Sequence, residues 1–236
     1  MRLYRFNQVT KFALSTLIAV AALALSAQAE EGFVSLFDGK SLDGWDGNPK
    51  FWSVQDGAVT GITTADNPTS GNTFILWKNG ELKDFVLKVK FRIDGGNSGV
   101  QVRSKDLGNW VVGGYQADFD GAGGWTGSFY EERGRGILAK RGNRIEITET
   151  GEKKNVGTTT AEKEILDSLA KGDDWNEYVI TCKGNHVTFE LNGKLTVDLV
   201  DNEASKRPEK GILALQLHAG PPMKVQFKDI LLKDLN

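Results

Sequence analysis

Cysteine is almost missing from this chain. The one thiol, Cys182, excludes an internal disulfide and sits in an alternating strand pattern, where it reads as a small buried apolar residue. Histidine is nearly as scarce. Two histidines and one cysteine exclude zinc-finger and His-rich metal sites, although a hard divalent cation held by Asp, Glu and backbone oxygens stays open. An excess of positive charge is also lacking. Lys and Arg together number 29 and Asp and Glu 31, for a formal net charge of −2, and there is no basic tail; nucleic acid is therefore not expected as a partner. No helix-period pattern dominates, no internal repeat is visible, and no linker divides the chain. Gly134 and Gly136 form a Gly-x-Gly piece, but no apolar helix follows, so a nucleotide-binding loop is not supported.

What is present begins with an export signal. Arg2, Arg5 and Lys11 form a basic lead, Phe12 to Leu25 is almost wholly apolar, and Ala27-Gln28-Ala29 is a small-x-small cleavage site. This predicts a signal peptide over residues 1–29 and a mature single domain over residues 30–236, periplasmic or secreted from a bacterium. The apolar run is short for a membrane span, so no integral span is expected once the signal is removed. A mature chain of about 200 residues suits one domain with a full-sized core.

Short alternating runs separated by Gly, Asn and Asp turns predict an all-β, two-sheet sandwich. Phe85, Leu87, Val89, Phe91 and Ile93 alternate with Val86, Lys88, Lys90 and Arg92, one face buried and one mostly wet. Asp56-Gly57 and Asn192-Gly193 each signal a tight hairpin. Ile137 to Ala139 and Asn143 to Thr148 look like another pair of strands, and Met223 to Leu232 like the strand that closes the sheet. One short decorating helix is expected near Ala161 to Ala170, with Thr159 and Glu162 at capping-box spacing and Gly172 as a stop.

The stretch from Asn97 to Gly142 carries the chemistry. In each of four strands, two polar residues at i, i+2 occupy the face opposite an apolar one: Gln101 and Arg103, Gln116 and Asp118, Tyr130 and Glu132, Gln216 and His218. An ordinary wet face would show Lys, Thr and Glu. Gln, Arg, Asp, Tyr and His suit sugar hydroxyls and acid–base work. Trp110 and Trp125 flank these strands, where an indole could stack on a sugar face or merely anchor a loop. Glu131 is a second choice for the role of Glu132, because a bulge would swap their faces. The rival reading is a solvated face with structural ion pairs: His218 tying down the turn at Gly220-Pro221-Pro222, and Glu131, Glu132, Arg133 and Arg135 forming an ion knot. Asp118 and Asp120 offer oxygen ligands for Ca²⁺, at a spacing unlike an EF-hand.

Several segments together resemble a known family. They are Leu36-Phe37-Asp38-Gly39-Lys40-Ser41-Leu42-Asp43-Gly44-Trp45, Asn97-Ser98-Gly99-Val100-Gln101-Val102-Arg103-Ser104, Gly114-Tyr115-Gln116-Ala117-Asp118 and Gly127-Ser128-Phe129-Tyr130, followed by Trp175-Asn176-Glu177-Tyr178, Leu191-Asn192-Gly193, Gly211-Ile212-Leu213-Ala214-Leu215-Gln216-Leu217-His218 and Phe227-Lys228-Asp229-Ile230. In this order the chain is similar to the secreted bacterial 3-keto-disaccharide hydrolases, with departures at Glu131 to Gly136. The resemblance implies a concanavalin A-like jelly roll and an enzyme that cleaves 3-keto-glycosides. A C3 ketone acidifies the C2 proton; its removal expels the C1 substituent, and water then adds. On this reading His218, Glu132, Asp118 or Glu131 would serve as base and acid. Arg103 or a divalent cation would steady the enolate, and Gln101, Gln116, Tyr130, Gln216 and Trp125 would hold the sugar. Two rivals stand beside it: a noncatalytic, lectin-like carbohydrate-binding module, and a conventional glycosidase using Asp118 with Glu131 or Glu132.

Overall fold

The computed structural model describes residues 31–236. The predicted signal peptide over residues 1–29 lies outside them. In chain order the strands are β1 (Val34–Ser35), β2 (Trp45–Gly47), β3 (Trp52–Gln55), β4 (Ala58–Thr63), β5 (Thr73–Trp77), β6 (Phe85–Asp94), β7 (Asn97–Asp106), β8 (Val112–Asp120), β9 (Ser128–Glu132), β10 (Gly136–Ala139), β11 (Asn143–Ile147) and β12 (Lys153–Thr158). After the helix α1 (Glu162–Asp167) come β13 (Asn176–Lys183), β14 (His186–Leu191), β15 (Lys194–Asp201), β16 (Ile212–Leu217) and β17 (Met223–Asp234).

These strands form the expected sandwich of jelly-roll type. One sheet runs β10-β9-β8-β7-β16-β5-β2; the other runs β12-β11-β15-β14-β13-β6-β17-β4-β3, with β1 on β17. Alternation drives the pairing. Phe85, Leu87, Val89 and Phe91 of β6 face one core with Val100 and Val102 of β7 and Tyr115, Ala117 and Phe119 of β8. Across the two sheets Phe91 lies 3.9 Å, centroid to centroid, from Phe119, and within its own sheet it stacks at 5.1 Å on Tyr178. Cys182 is buried in this core, and burial pushes its thiol up to about 12, so it is inert.

Both hairpin turns form as expected. Asp56 and Gly57 have φ of 53° and 72°, and Asn192 and Gly193 have 49° and 75°, two left-handed residues each as a type I′ turn requires. Three expectations are corrected. β10 and β11 do not pair with each other: β10 pairs with β9 in one sheet, whereas β11 pairs with β12 and, in parallel, with β15 in the other. β17 does not close its sheet but runs through its middle, between β6 and β4. The helix is shorter than expected and lacks the capping box. Ala161, which has no side-chain acceptor, occupies the N-cap in place of Thr159, whose Oγ1 donates to the Thr196 carbonyl.

Candidate active site

The four polar-faced strands are contiguous in one sheet, in the order β9-β8-β7-β16. Register places Gln101 opposite Gln116, Gln116 opposite Tyr130, and Asp118 opposite Ser128. On this face an open cavity of about 360 Å³ is lined by Asn72, Asn97, Gln116, Asp118, Trp125, Tyr130, Glu132, Ile137, Gln216 and His218. Gln101, expected to hold the sugar, does not line it but is fully buried behind Gln116: its Nε2 donates to Gln116 Oε1 at 2.6 Å, and Ser104 Oγ donates to its Oε1 at 2.6 Å. A relay of amides thus leads to Asp118, since Gln116 Nε2 donates to Asp118 Oδ1 at 3.2 Å and Asn97 Nδ2 to the same oxygen at 3.1 Å. Gly99 makes room for it. A Cβ at this position would collide with the Gln116 side chain.

Asp118 is almost fully buried and has no cationic partner among the described residues. Burial pushes its carboxyl up to about 7, against the two amide donors that favour its charged form, and the Asp120 charge adds to the rise. Its backbone is held from the other sheet. The buried Tyr178 hydroxyl donates to the Asp118 carbonyl at 2.6 Å and accepts from the Gly127 N–H at 2.7 Å. At the end of β8, Asp120 accepts from the backbone N–H groups of Gly124, Trp125 and Thr126 at 3.0, 2.7 and 3.2 Å. Both of its oxygens are therefore engaged in ordering this loop. No group of three or more His, Cys, Asp or Glu stands where it could hold a metal among the described residues.

Across the cavity, Glu132 accepts from Asn72 Nδ2 at 3.3 Å and from Gln216 Nε2 at 3.5 Å. Gln216 is fully buried and its Oε1 has no hydrogen-bond partner, so an acceptor is left unpaired beside the groove. His218 Nδ1 lies 2.5 Å from the Ala219 carbonyl. A carbonyl only accepts, so Nδ1 carries a proton, and Nε2 is the ring nitrogen without a partner among the described residues. Asn72 Oδ1 accepts from the Ala219 N–H at 3.0 Å and so fixes this turn as well.

Two further predicted site residues are elsewhere. Arg103 does not share the face of Gln101. The β7–β8 register shifts between Val102 and Lys105, and Arg103 takes a φ of 46°; this bulge turns its side chain inward. There it is fully buried and donates to the carbonyls of Lys83 and Gly184, each at 2.7 Å, and to Asp84 Oδ1 at 2.9 Å. Glu131 faces the core end of the sandwich. It accepts from Arg135 Nε at 2.7 Å, and the same guanidinium reaches Asp201 at 2.6 Å and Glu203 at 3.0 Å. The ion-knot reading thus holds for Glu131 and not for Glu132. Trp110 is a loop anchor, its Nε1 donating to Asp46 Oδ1 at 2.8 Å. Trp125, by contrast, is 47% exposed at the rim of the cavity.

Sequence reading missed Asn72 and Asn97 as wall residues. Asn97 opens the segment that drew attention, but Asn72 lies in a Thr-, Ser- and Gly-rich loop with nothing local to distinguish it. Ile137 supplies an apolar patch that sugar rings tolerate.

Comparison with known proteins bears on the family and the fold. Residues 32–233 match the 3-keto-alpha-glucoside-1,2-lyase-like domain. A 3-keto-disaccharide hydrolase of Bacteroides thetaiotaomicron is 32% identical over 98 residues, 35% of this chain and 33% of that protein, so the match spans about a third of that relative's length. A presumed glycosyl hydrolase of Parabacteroides distasonis superposes with a TM-score of 0.57 at 22% identity, covering 86% of this chain and 99% of that one. The carbohydrate binding module CBM66 of Bacillus subtilis superposes with a TM-score of 0.54 at 14% identity, covering 81% and 96%. At these identities the two structures establish a shared fold.

Proposed function

The chain belongs to the 3-keto-alpha-glucoside-1,2-lyase-like family, and from that premise we propose that it cleaves 3-keto-glycosides in the groove of β9-β8-β7-β16. The observation that carries the reading is one cavity holding two proton-transfer groups. These are Asp118, held up to about 7 by burial, and His218, with Nε2 left free.

In the first step His218 Nε2 removes the C2 proton, and the electron pair forms the enolate of the C3 ketone. The Tyr130 hydroxyl is the donor in the cavity that suits the developing enolate oxygen, the role Arg103 cannot fill from inside the core. The enolate then collapses, the C1–O bond breaks, and protonated Asp118 gives its proton to the leaving oxygen. In the second step the Asp118 carboxylate takes a proton from water as its oxygen bonds to C1 of the enone. The His218 imidazolium returns a proton to C2. The sum is hydrolysis, with both residues restored. Glu132, Gln216 and Gln116 orient hydroxyls, and the unpaired Gln216 Oε1 would accept from one of them.

The test is aglycone release, followed by mass spectrometry, from 3-keto-glycosides and their unoxidised parents, with and without divalent cation or chelator. Cleavage confined to the keto compounds is the expected result. Cleavage of the parents as well would assign a conventional glycosidase. Saturable sugar binding without product would assign the lectin-like module, which the exposed Trp125 would equally serve. Export to the periplasm or medium belongs to the same proposal and rests on Ala27-Gln28-Ala29. Amino-terminal sequencing of protein recovered outside the cytoplasm should begin at Glu30.

A further inference from the structure

The two oxygens of Asp118 have different surroundings. Oδ1 takes both side-chain donors, Asn97 Nδ2 at 3.1 Å and Gln116 Nε2 at 3.2 Å. Oδ2 accepts from no side chain among the described residues and is open to the cavity rather than buried. A proton on Oδ1 would meet the hydrogens of two amides. A proton on Oδ2 would point where a leaving oxygen can lie.

This asymmetry depends on which end of the Gln116 amide faces Asp118. A carboxamide can turn end for end within the same volume, exchanging N–H for oxygen. Gln116 is held against that turn from behind, because Gln101 Nε2 donates to its Oε1 at 2.6 Å. Turning Gln116 alone would set its Nε2 against Gln101 Nε2. Turning both amides would present Gln116 Oε1 to the Asp118 carboxylate, acceptor against acceptor. Ser104 closes the relay by donating to Gln101 Oε1 at 2.6 Å. Gln101, Ser104 and Gln116 are each 2% exposed or less, so bulk water does not compete for these bonds. Gly114 leaves the space that Ser104 fills: a Cβ there would lie 2.5 Å from Ser104 Oγ. Gln101 itself does not line the cavity, and a buried amide is costly unless both of its ends are satisfied.

We propose that Gln101 is a positioning residue for the acid step: acting through Gln116, it holds Oδ1 of Asp118 as an acceptor and confines the proton to Oδ2, the oxygen that faces the groove. The inference rests on Asp118 being the acid of the proposed reaction. The titratable groups around Asp118 are Asp120 on its own strand, Tyr130 and Glu132 of β9, His218 beyond β16, and Tyr178 of β13 behind its carbonyl. None of these takes part in the relay, so a change at Gln101 reaches Asp118 through Gln116.

The experiment uses Gln101→Met, Gln116→Met and the double variant, each checked for folding by far-UV circular dichroism. Aspartate carboxyls labelled with ¹³C are titrated by NMR, the Asp118 signal being identified by its loss in Asp118→Asn. In Gln101→Met the Gln116 amide is free to turn and accept a proton from Oδ1. The Asp118 midpoint should therefore rise by about one pH unit. Gln116→Met should raise it at least as far, and the double variant no further than Gln116→Met alone. On a 3-keto-glycoside, Gln101→Met should lower kcat roughly 5–10-fold at unchanged KM, while the alkaline limb of its pH profile moves up with the midpoint. An unchanged midpoint, shifts that add in the double variant, or a loss confined to KM would overturn the assignment. If Gln101→Met does not fold, an unchanged midpoint in Gln116→Met overturns it as well. If wild type turns over no 3-keto-glycoside, the catalytic reading has failed, and the titrations alone decide whether Gln101 directs the proton of Asp118.

Discussion

Glu131 and Glu132 are adjacent in sequence and carry the same carboxylate, yet they occupy opposite kinds of surroundings. Glu131 is buried against Arg135, which also grips Asp201 and Glu203, while Lys206 reaches Glu203 at 2.8 Å. Every charge in that knot has an opposite charge at bonding distance. Across the sheet, and among the described residues, Glu132 is met only by the neutral amides of Asn72 and Gln216, and Asp118 only by those of Asn97 and Gln116. A knot of paired charges holds the end of the sandwich. A groove of amide-supported acids leaves proton affinity and hydrogen-bonding capacity available to a ligand. Paired buried charges have little left to offer to chemistry, and unpaired buried carboxylates cost stability to keep.

That contrast can be broken at its strongest point. Arg135→Met should leave the knot carboxylates uncompensated and cost about 3–5 kcal/mol, read as a lowered midpoint in urea unfolding. A shift below about 1 kcal/mol would show the knot to be solvated after all. On the groove side, His218→Ala and Asp118→Asn should each lower kcat on a 3-keto-glycoside by about 10²–10⁴-fold while leaving far-UV circular dichroism unchanged. Wild-type turnover in either variant would remove that residue from the mechanism.

Asp118→Asn also sharpens the comparison through pH. The folded state raises this carboxyl from 3.8 to about 7, so between those values the folded chain holds a proton that the unfolded chain has released. Stability therefore falls as pH rises through that window, by up to ~4 kcal/mol at ~1.4 kcal/mol per unit. The substitution should abolish this slope: variant and wild type converge near pH 4, and the variant becomes the more stable above pH 7. A difference independent of pH would contradict the burial effect. The adjacent pair gives a smaller contrast. Glu131→Gln should destabilise by about 1–3 kcal/mol, because it weakens the Arg135 pair, whereas Glu132→Gln should change stability by under 1 kcal/mol and act mainly on turnover. Trp125→Ala should move stability least, within about 0.5 kcal/mol, and show its effect in sugar affinity by calorimetry.

The parts of the site that alternation could reveal were legible in advance. Gln116 and Asp118, Tyr130 and Glu132, and Gln216 and His218 lie on the face that a period of two assigns to them, and their strands stand beside one another as the coincidence suggested. Arg103 escaped the same logic because one left-handed residue at a bulge reverses a face, and an arginine codon does not announce it. Pairing β10 with β11 failed because proximity in sequence is a weak guide to which sheet a strand joins. β12, whose residues are largely exposed, has no apolar alternation to betray it. Asn72 reaches the groove from a loop whose composition reads only as loop.

The sequence by itself determined the features that depend on near neighbours: strand periodicity, the two type I′ turns, the β class and the polar palette of four strands. Each follows from sterics or burial within a few residues. Tertiary structure decided which of two adjacent glutamates is spent on an arginine, which arginine leaves the groove for the core, and how far burial lifts the proton affinity of Asp118. Those outcomes depend on the low dielectric and the partners that distant segments bring together, and neither exists until the two sheets close over one core.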